Sequence, residues 1–82
     1  MNKAQKRQAI LRELAHELAE LRRESGLSMR DIAAASGLNQ STISRLEANP
    51  TNPGLDSLLR FADAMDADLG KALVNAIRRA GG

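Results

Sequence analysis

The side chains with most chemistry to offer lie close together near the middle of the chain. Gln40, Ser41, Ser44 and Arg45 fall on one side of a helical repeat, opposite Ile43 and Leu46. Their amide, hydroxyl and guanidinium groups offer hydrogen bonds and little apolar surface. Such a face suits a partner with its own array of donors and acceptors, such as base edges. Catalytic chemistry lacks its parts. His16 is the one histidine, and the chain has no Cys, Tyr or Trp. No glycine-rich phosphate loop is present. No nucleophile–base pair or metal-ligand cluster can be assembled, so neither an enzyme, a metal site nor a cofactor is expected. His16 falls just beside a leucine stripe and reads as a boundary or solvent-facing residue. The acids of residues 55–68 lack metal-ligand spacing.

The polar face must be carried by something. Leu27 to Ala48, LSMRDIAAASGLNQSTISRLEA, reads as two short helices around a glycine. Ser28 is placed to cap the first, because its hydroxyl accepts from backbone N–H groups that a helix start leaves unpaired. Ile32 and Ala33 give that helix an inner edge. Gly37 stops it, since glycine reaches the left-handed conformation without Cβ strain. Asn39 is a second N-cap, and Gln40 to Ala48 follows with its inner face of Ile43 and Leu46. Two helices joined tightly at glycine, the second polar outside, describe a helix-turn-helix. Such packing brings the ends of the first long helix and the second motif helix together. Arg22 and Glu47 stand at those ends. Each reads as a surface charge or as half of a guanidinium–carboxylate fork that sets the angle between the helices.

The flanks read as further helices. Residues 4–24 have few helix breakers, and Leu11, Leu14, Leu18 and Leu21 form one stripe, widened by Ile10 and Ala15. Gly26 ends it. Residues 3–9 lack large apolar groups and are expected to project as a basic arm or to fray. Residues 48–54 form a loop stiffened by Pro50 and Pro53. Asn49, Thr51 and Asn52 on it serve as turn formers or as phosphate contacts. Residues 55–67 predict a helix with Leu55, Leu58, Leu59, Ala62 and Met65 buried and Phe61 flanking. Leu69, Leu73 and Ile77, with Ala72, Ala76 and Ala80 beside them, predict a last helix. It closes the core or pairs with its twin in a second chain. Gly81 and Gly82 form a frayed end.

At 82 residues with a single aromatic, Phe61, the chain is one small domain with a thin core, and a homodimer would bury more surface. Lys3, Lys6, Arg7 and Arg12 make the start locally basic, and Lys71, Arg78 and Arg79 do the same for the end. Glu13, Glu17 and Glu20, and Asp56, Asp63, Asp66 and Asp68, are acidic blocks. The basic blocks could face a polyanion; the acidic ones are ill suited to it. No signal peptide or membrane span is evident, and the absence of cysteine fits the cytoplasm.

Leu27-Ser-Met-Arg-Asp-Ile-Ala33, Gly37-Leu-Asn-Gln-Ser-Thr-Ile-Ser-Arg-Leu-Glu47 and Asn52-Pro-Gly-Leu-Asp-Ser-Leu58 resemble the lambda-repressor/Cro-like, or Xre-type, helix-turn-helix family. Ala33, Gly37 and Ile43 fill the places of its packing signature. The resemblance spans residues 11–69 and implies an all-α fold, a compact bundle of about five helices. On that fold 1–82 is a single helix-turn-helix domain, with 1–10 as a basic arm and 70–82 as a C-terminal helix and frayed end. The implied activity is sequence-specific binding of double-stranded DNA by a homodimeric repressor. Gln40, Ser41 and Arg45 would meet base edges: Gln suits adenine, Arg guanine, and Ser either donors or acceptors. Arg30, Asn39, Thr42 and Ser44 would meet phosphates, and the family's Arg–Glu bridge falls on Arg22 and Glu47. Two positions depart from the pattern. Met29 replaces a Gln that commonly clamps a phosphate. Ser36 stands where an apolar residue is usual, so Ala35 or Leu38 is expected to cover that spot. The Asn52–Leu58 segment also resembles small antitoxins, which bind a toxin protein, and this is the alternative function.

Overall fold

The computed structural model describes residues 1–48 and 52–81, and among these every regular element is an α-helix. The order is α1 (Lys3–Ser25), α2 (Met29–Ser36), α3 (Gln40–Ala48), α4 (Leu55–Ala64) and α5 (Leu69–Arg79). The long axis of the molecule, 38 Å, is close to the roughly 35 Å that the 23 residues of α1 span at about 1.5 Å each. α1 is therefore the spine. α3 and α5 pack against it, and α2 and α4 close the other side.

Helix ends follow local chemistry. Asn2 and Gln5 form a reciprocal capping box, with Gln5 N–H donating to Asn2 Oδ1 at 2.8 Å and Asn2 N–H to Gln5 Oε1 at 3.1 Å. Residues 3–8 are accordingly the exposed first turns of α1, with Ala9 half-buried where they run on into its buried part. Gly26 and Gly37 end α1 and α2 at φ of 76° and 74°.

The α4 helix is shorter than expected, stopping at Ala64 instead of residue 67. Ala67 N–H donates to Ala62 O at 2.9 Å and Asp66 N–H to Asp63 O at 3.0 Å. These two bonds form a Schellman turn with Asp66, at φ 52°, in the left-handed position. Aspartate tolerates that conformation better than most non-glycine residues. Asp68 then caps α5 by accepting from Lys71 N–H at 3.1 Å.

The core joins Leu14 and Leu18 of α1, Ile32 of α2, Ile43 and Leu46 of α3, Leu58 and Phe61 of α4, and Ala72 and Ala76 of α5. Two faces differ from the expectation. On α4, Phe61 is fully buried at the centre, while Leu55 and Leu59 are exposed. Both stripes fit a 3.6-residue period; the face turned inward is the one carrying the aromatic, which removes more apolar area from water. On α5, Ala72 and Ala76 are buried, while Leu73 and Val74 are exposed. α5 lies along α1, where Ala15 and Ala19 are buried too. Small side chains on both helices let the backbones approach, and the larger residues are displaced outward.

Polar ties complete the packing. Glu17, buried on α1, accepts from Asn75 Nδ2 at 3.0 Å, and Arg79 Nη1 lies 2.8 Å from its other oxygen, out of hydrogen-bond alignment. The end of α5 is thus held to the middle of α1. At Ser36 the expectation holds for one of its two candidates: Leu38 packs against the core, while Ala35 is exposed and Ser36 is itself buried. The Ser36 hydroxyl accepts from Leu38 N–H at 3.1 Å, so a polar group occupies an apolar place at little cost. Its carbonyl accepts from Arg60 Nη1 at 3.3 Å, tying α4 to the end of α2.

Candidate nucleic-acid interface

The candidate face is the outside of α3, and its placement begins with the turn before it. Gly37 is left-handed, Leu38 packs against the core and Asn39 opens the next helix. Thr42 N–H donates to Asn39 Oδ1 at 2.8 Å, and Ile43 N–H donates to the Asn39 carbonyl at 3.2 Å. Ile43 is fully buried, and Ala33 is half-buried against the same core. Ala33 of α2 and Ile43 of α3 thus both face the core on either side of the glycine turn.

The far end of α3 is fastened to α1. Arg22 Nε donates to Glu47 Oε2 at 2.6 Å, and Nη2 donates to Oε1 at 3.0 Å. The side chains are only 17% and 9% exposed. This is a bidentate fork, which fixes both distance and orientation. The bonds from Glu47 hold the Arg22 pKa above its ordinary value against the opposing effect of burial, so the guanidinium stays charged.

Gln40, Ser41, Ser44 and Arg45 are all exposed, and Thr42 is half-buried beside them. The Ser41 hydroxyl donates to Asn39 Oδ1 at 2.8 Å. Arg45 Nη2 donates to Thr42 Oγ1 at 3.4 Å, which lays the guanidinium back along the helix. Ser44 Oγ lies 3.6 Å from the sulfur of Met29, a weak donor contact. Met29 thus spends its side chain on the α2–α3 seam, packed against the core. Arg30 and Asn52 are exposed; Asn49 and Thr51 lie outside the described residues. The Ser28 backbone N–H donates to Asp31 at 2.9 Å, and Asp31 N–H donates to the Ser28 hydroxyl at 3.1 Å. The backbone N–H of Ser28 foremost, and its hydroxyl after it, stabilise the Asp31 carboxylate and lower its pKa. The carboxylate stabilises the start of α2 and lies next to Arg30.

A sequence model of the helix-turn-helix family matches residues 18–71, from the middle of α1 to the start of α5. The chain belongs to the helix-turn-helix family, of the lambda-repressor or Xre type. Similar proteins include an uncharacterized helix-turn-helix-type transcriptional regulator, y4dL, of Sinorhizobium fredii. It is 38% identical over 68 residues, covering 79% of this chain and 35% of the relative. Antitoxin HigA1 of Mycobacterium tuberculosis is 40% identical over 58 residues, covering 71% of this chain and 39% of the relative. The chain thus spans well under half the length of these two relatives. Among solved structures, the restriction-modification controller protein C.AhdI from Aeromonas hydrophila superposes with a TM-score of 0.69 at 32% identity. That match covers 76% of this chain and 94% of the controller.

Several ties in this helix-turn-helix protein carry no sequence signal. The Arg60–Ser36 contact joins residues far apart in the chain, and only its local Arg60–Asp56 pairing, at 2.8 Å, follows from i,i+4 spacing. The Glu17–Asn75–Arg79 group is equally silent. His16 is exposed, with Nε2 3.1 Å from Glu20 one turn on. Away from α3, the start of α1 and the beginnings of α4 and α5 enclose an open groove of about 550 Å³. It is lined by Arg7, Leu11, Leu55, Leu58, Leu69 and Leu73, among others. No helix of the described residues is long and apolar enough to cross a membrane.

Proposed function

We propose that this chain is a sequence-specific DNA-binding transcriptional regulator, a repressor that inserts α3 into the major groove. One observation carries the reading. α3 turns Gln40, Ser41, Ser44 and Arg45 outward while Ile43 and Leu46 are buried behind them. Gln40, Ser41 and Arg45 meet base edges; Arg30, Asn39, Thr42, Ser44 and Asn52 meet phosphates. Met29 brings no donor to the backbone, so Arg30 is the principal cation at the start of α2. The regulator relatives and the controller protein support the same reading.

The protein acts as a two-fold dimer on a pseudo-palindromic site, with its α3 helices about 34 Å apart, one duplex turn. The second copy covers the exposed Leu55 and Leu73 beside the groove. The groove has a basic lip at Arg7, and the α4–α5 surface carries the exposed acids Asp63, Asp66 and Asp68. A two-fold pairing can set these opposite charges against each other. The site of action is then the compartment that holds the DNA, the cytoplasm.

Selection from a random duplex pool, followed by anisotropy titration, tests the reading. Arg45→Ala should cost about 1–3 kcal/mol on the selected site and relax preference at one position. Binding without sequence preference, unchanged in Arg45→Ala, refutes it. A second reading, an antitoxin that masks a toxin protein, is favoured by the antitoxin relative. Co-expression with a toxin encoded beside the gene decides it: relief of growth arrest and co-purification support this role, and neither occurring removes it.

A further inference from the structure

A serine hydroxyl can donate or accept, so Ser41 by itself does not say which base it would read. The first turn of α3 removes that ambiguity. Thr42 N–H donates to Asn39 Oδ1 at 2.8 Å. A backbone N–H only donates, so this bond fixes the Asn39 amide with its oxygen toward the helix and its NH2 away. Ser41 Oγ lies 2.8 Å from the same Oδ1. That oxygen carries no proton, so the bond must use the hydroxyl proton of Ser41. Both lone pairs of Asn39 Oδ1 are then occupied, and the single proton of Ser41 is committed.

We propose that Asn39 is a positioning residue that sets the polarity of Ser41, leaving the hydroxyl only lone pairs to show a base. Ser41 then selects a base amino group, adenine N6 or cytosine N4, on the strand it faces. Guanine O6 and N7 and thymine O4 are acceptors and are disfavoured. The inference rests on the DNA-binding reading of α3. Thr42 is wired the opposite way. Its Oγ1 accepts from Arg45, so its proton remains for a phosphate, as do those of the Asn39 NH2. Neighbouring polar groups thus divide into donors for the backbone and one acceptor for a base. Against guanine or thymine, Ser41 must break its bond to Asn39 or set oxygen against oxygen. Losing about one net hydrogen bond corresponds to roughly a five- to tenfold loss of affinity.

The distinguishing feature is an amino-versus-keto preference, different from purine against pyrimidine or A·T against G·C. The preferred duplex pool is selected with the full chain, and each position of the resulting site is then changed to all four bases and titrated by fluorescence anisotropy. The position whose preference vanishes in Ser41→Ala is the one Ser41 faces. There, adenine or cytosine should exceed guanine or thymine by about five- to tenfold. Asn39→Gly keeps an acceptable N-cap backbone but removes the oxygen. The preference should shrink to under about twofold, because the hydroxyl is free to donate. Asn39→Asp offers two accepting oxygens in place of one and should keep the preference, while its charge weakens binding to every sequence alike. A merely structural cap would move affinity in these variants and leave the base preference in place. Circular dichroism establishes that each variant is folded, and the parent titration stands whatever the variants do.

The proposal is overturned if the parent accepts guanine or thymine equally at that position, or if Ser41→Ala changes no position. It is also overturned if Asn39→Gly keeps the preference, or if Asn39→Asp loses it. A pool that yields no preferred sequence at all refutes the DNA reading itself, and the proposal with it.

Discussion

Cutting one end of the Arg22–Glu47 fork separates its strength from its role in aiming α3. With charge centres about 4 Å apart and an effective dielectric near 20, the attraction is about 4 kcal/mol. Withdrawing both groups from water offsets much of that. In Glu47→Gln the guanidinium remains, and at 17% side-chain exposure it regains only part of its hydration. Breaking a fully buried pair costs about 3–5 kcal/mol, and the residual exposure lowers the expected loss to about 2–3 kcal/mol. A domain of this size has a total stability of about 4–12 kcal/mol. The loss should lower Tm by roughly 10–20 °C. Arg22→Met combined with Glu47→Leu removes both charges while keeping apolar volume, and should lie within about 1 kcal/mol of the parent. Urea unfolding of the parent, Arg22→Met, Glu47→Leu and the double, followed by circular dichroism, closes the cycle, with Glu47→Gln as the near-isosteric check. The double variant should stay folded yet bind DNA more weakly, because α3 loses the contact that fixes its angle. A coupling below about 0.5 kcal/mol, or a double variant less stable than either single, refutes the picture of two mutually compensating charges.

Three further outcomes follow from the same geometry. Gly37→Ala forces a Cβ into φ 74°, while the nearest atom, Arg60 Nη1 at 3.4 Å, leaves it room; conformational strain alone should cost about 1–2 kcal/mol in urea unfolding, and a neutral result would contradict the left-handed cap. The Asp31 pKa is lowered from 3.8, so its contribution is present above that value and is lost as pH falls through the lower folded value. Ser28→Ala removes the hydroxyl donor but not the backbone one, and should move the Asp31 titration partway back up by NMR; an unmoved titration would deny the hydroxyl any role. Leu73→Lys changes an exposed groove residue and should leave helicity intact while sedimentation shifts from dimer to monomer; an unchanged dimer would place the interface elsewhere.

Local chemistry was enough to read the helix boundaries around the α2–α3 unit. A hydroxyl at Ser28, glycines at 26 and 37 and an amide at Asn39 act on backbone groups within a few residues, so their effect is encoded beside them. The all-α class and the α1 stripe of Leu14 and Leu18 were legible for the same reason, since a 3.6-residue period needs no knowledge of the partner. Periodicity does not say which of two overlapping stripes faces inward. On α4 the partner decided for Phe61 and against Leu55 and Leu59, and on α5 the close approach of α1 decided for Ala72 and Ala76 and against Leu73. The end of α4 escaped the sequence because Asp66 stands where glycine usually signals a left-handed stop. The burial of Ser36 escaped because its hydroxyl is satisfied only once the turn is formed. Long-range ties lie further still beyond sequence reasoning. Glu17 meets Asn75 and Arg79 only when the angle between α1 and α5 is set, whereas the Arg22–Glu47 fork was one of two readings open to the sequence, and the packing of α3 on α1 decided for it. The residue types at 40, 41 and 45 came from the sequence alone. The hydrogen bonds that commit the proton of Ser41 and lay Arg45 against Thr42 depend on rotamers that exist only in the folded helix. The chain by itself determined which chemical groups α3 carries; the tertiary structure decided which of their donors and acceptors remain free.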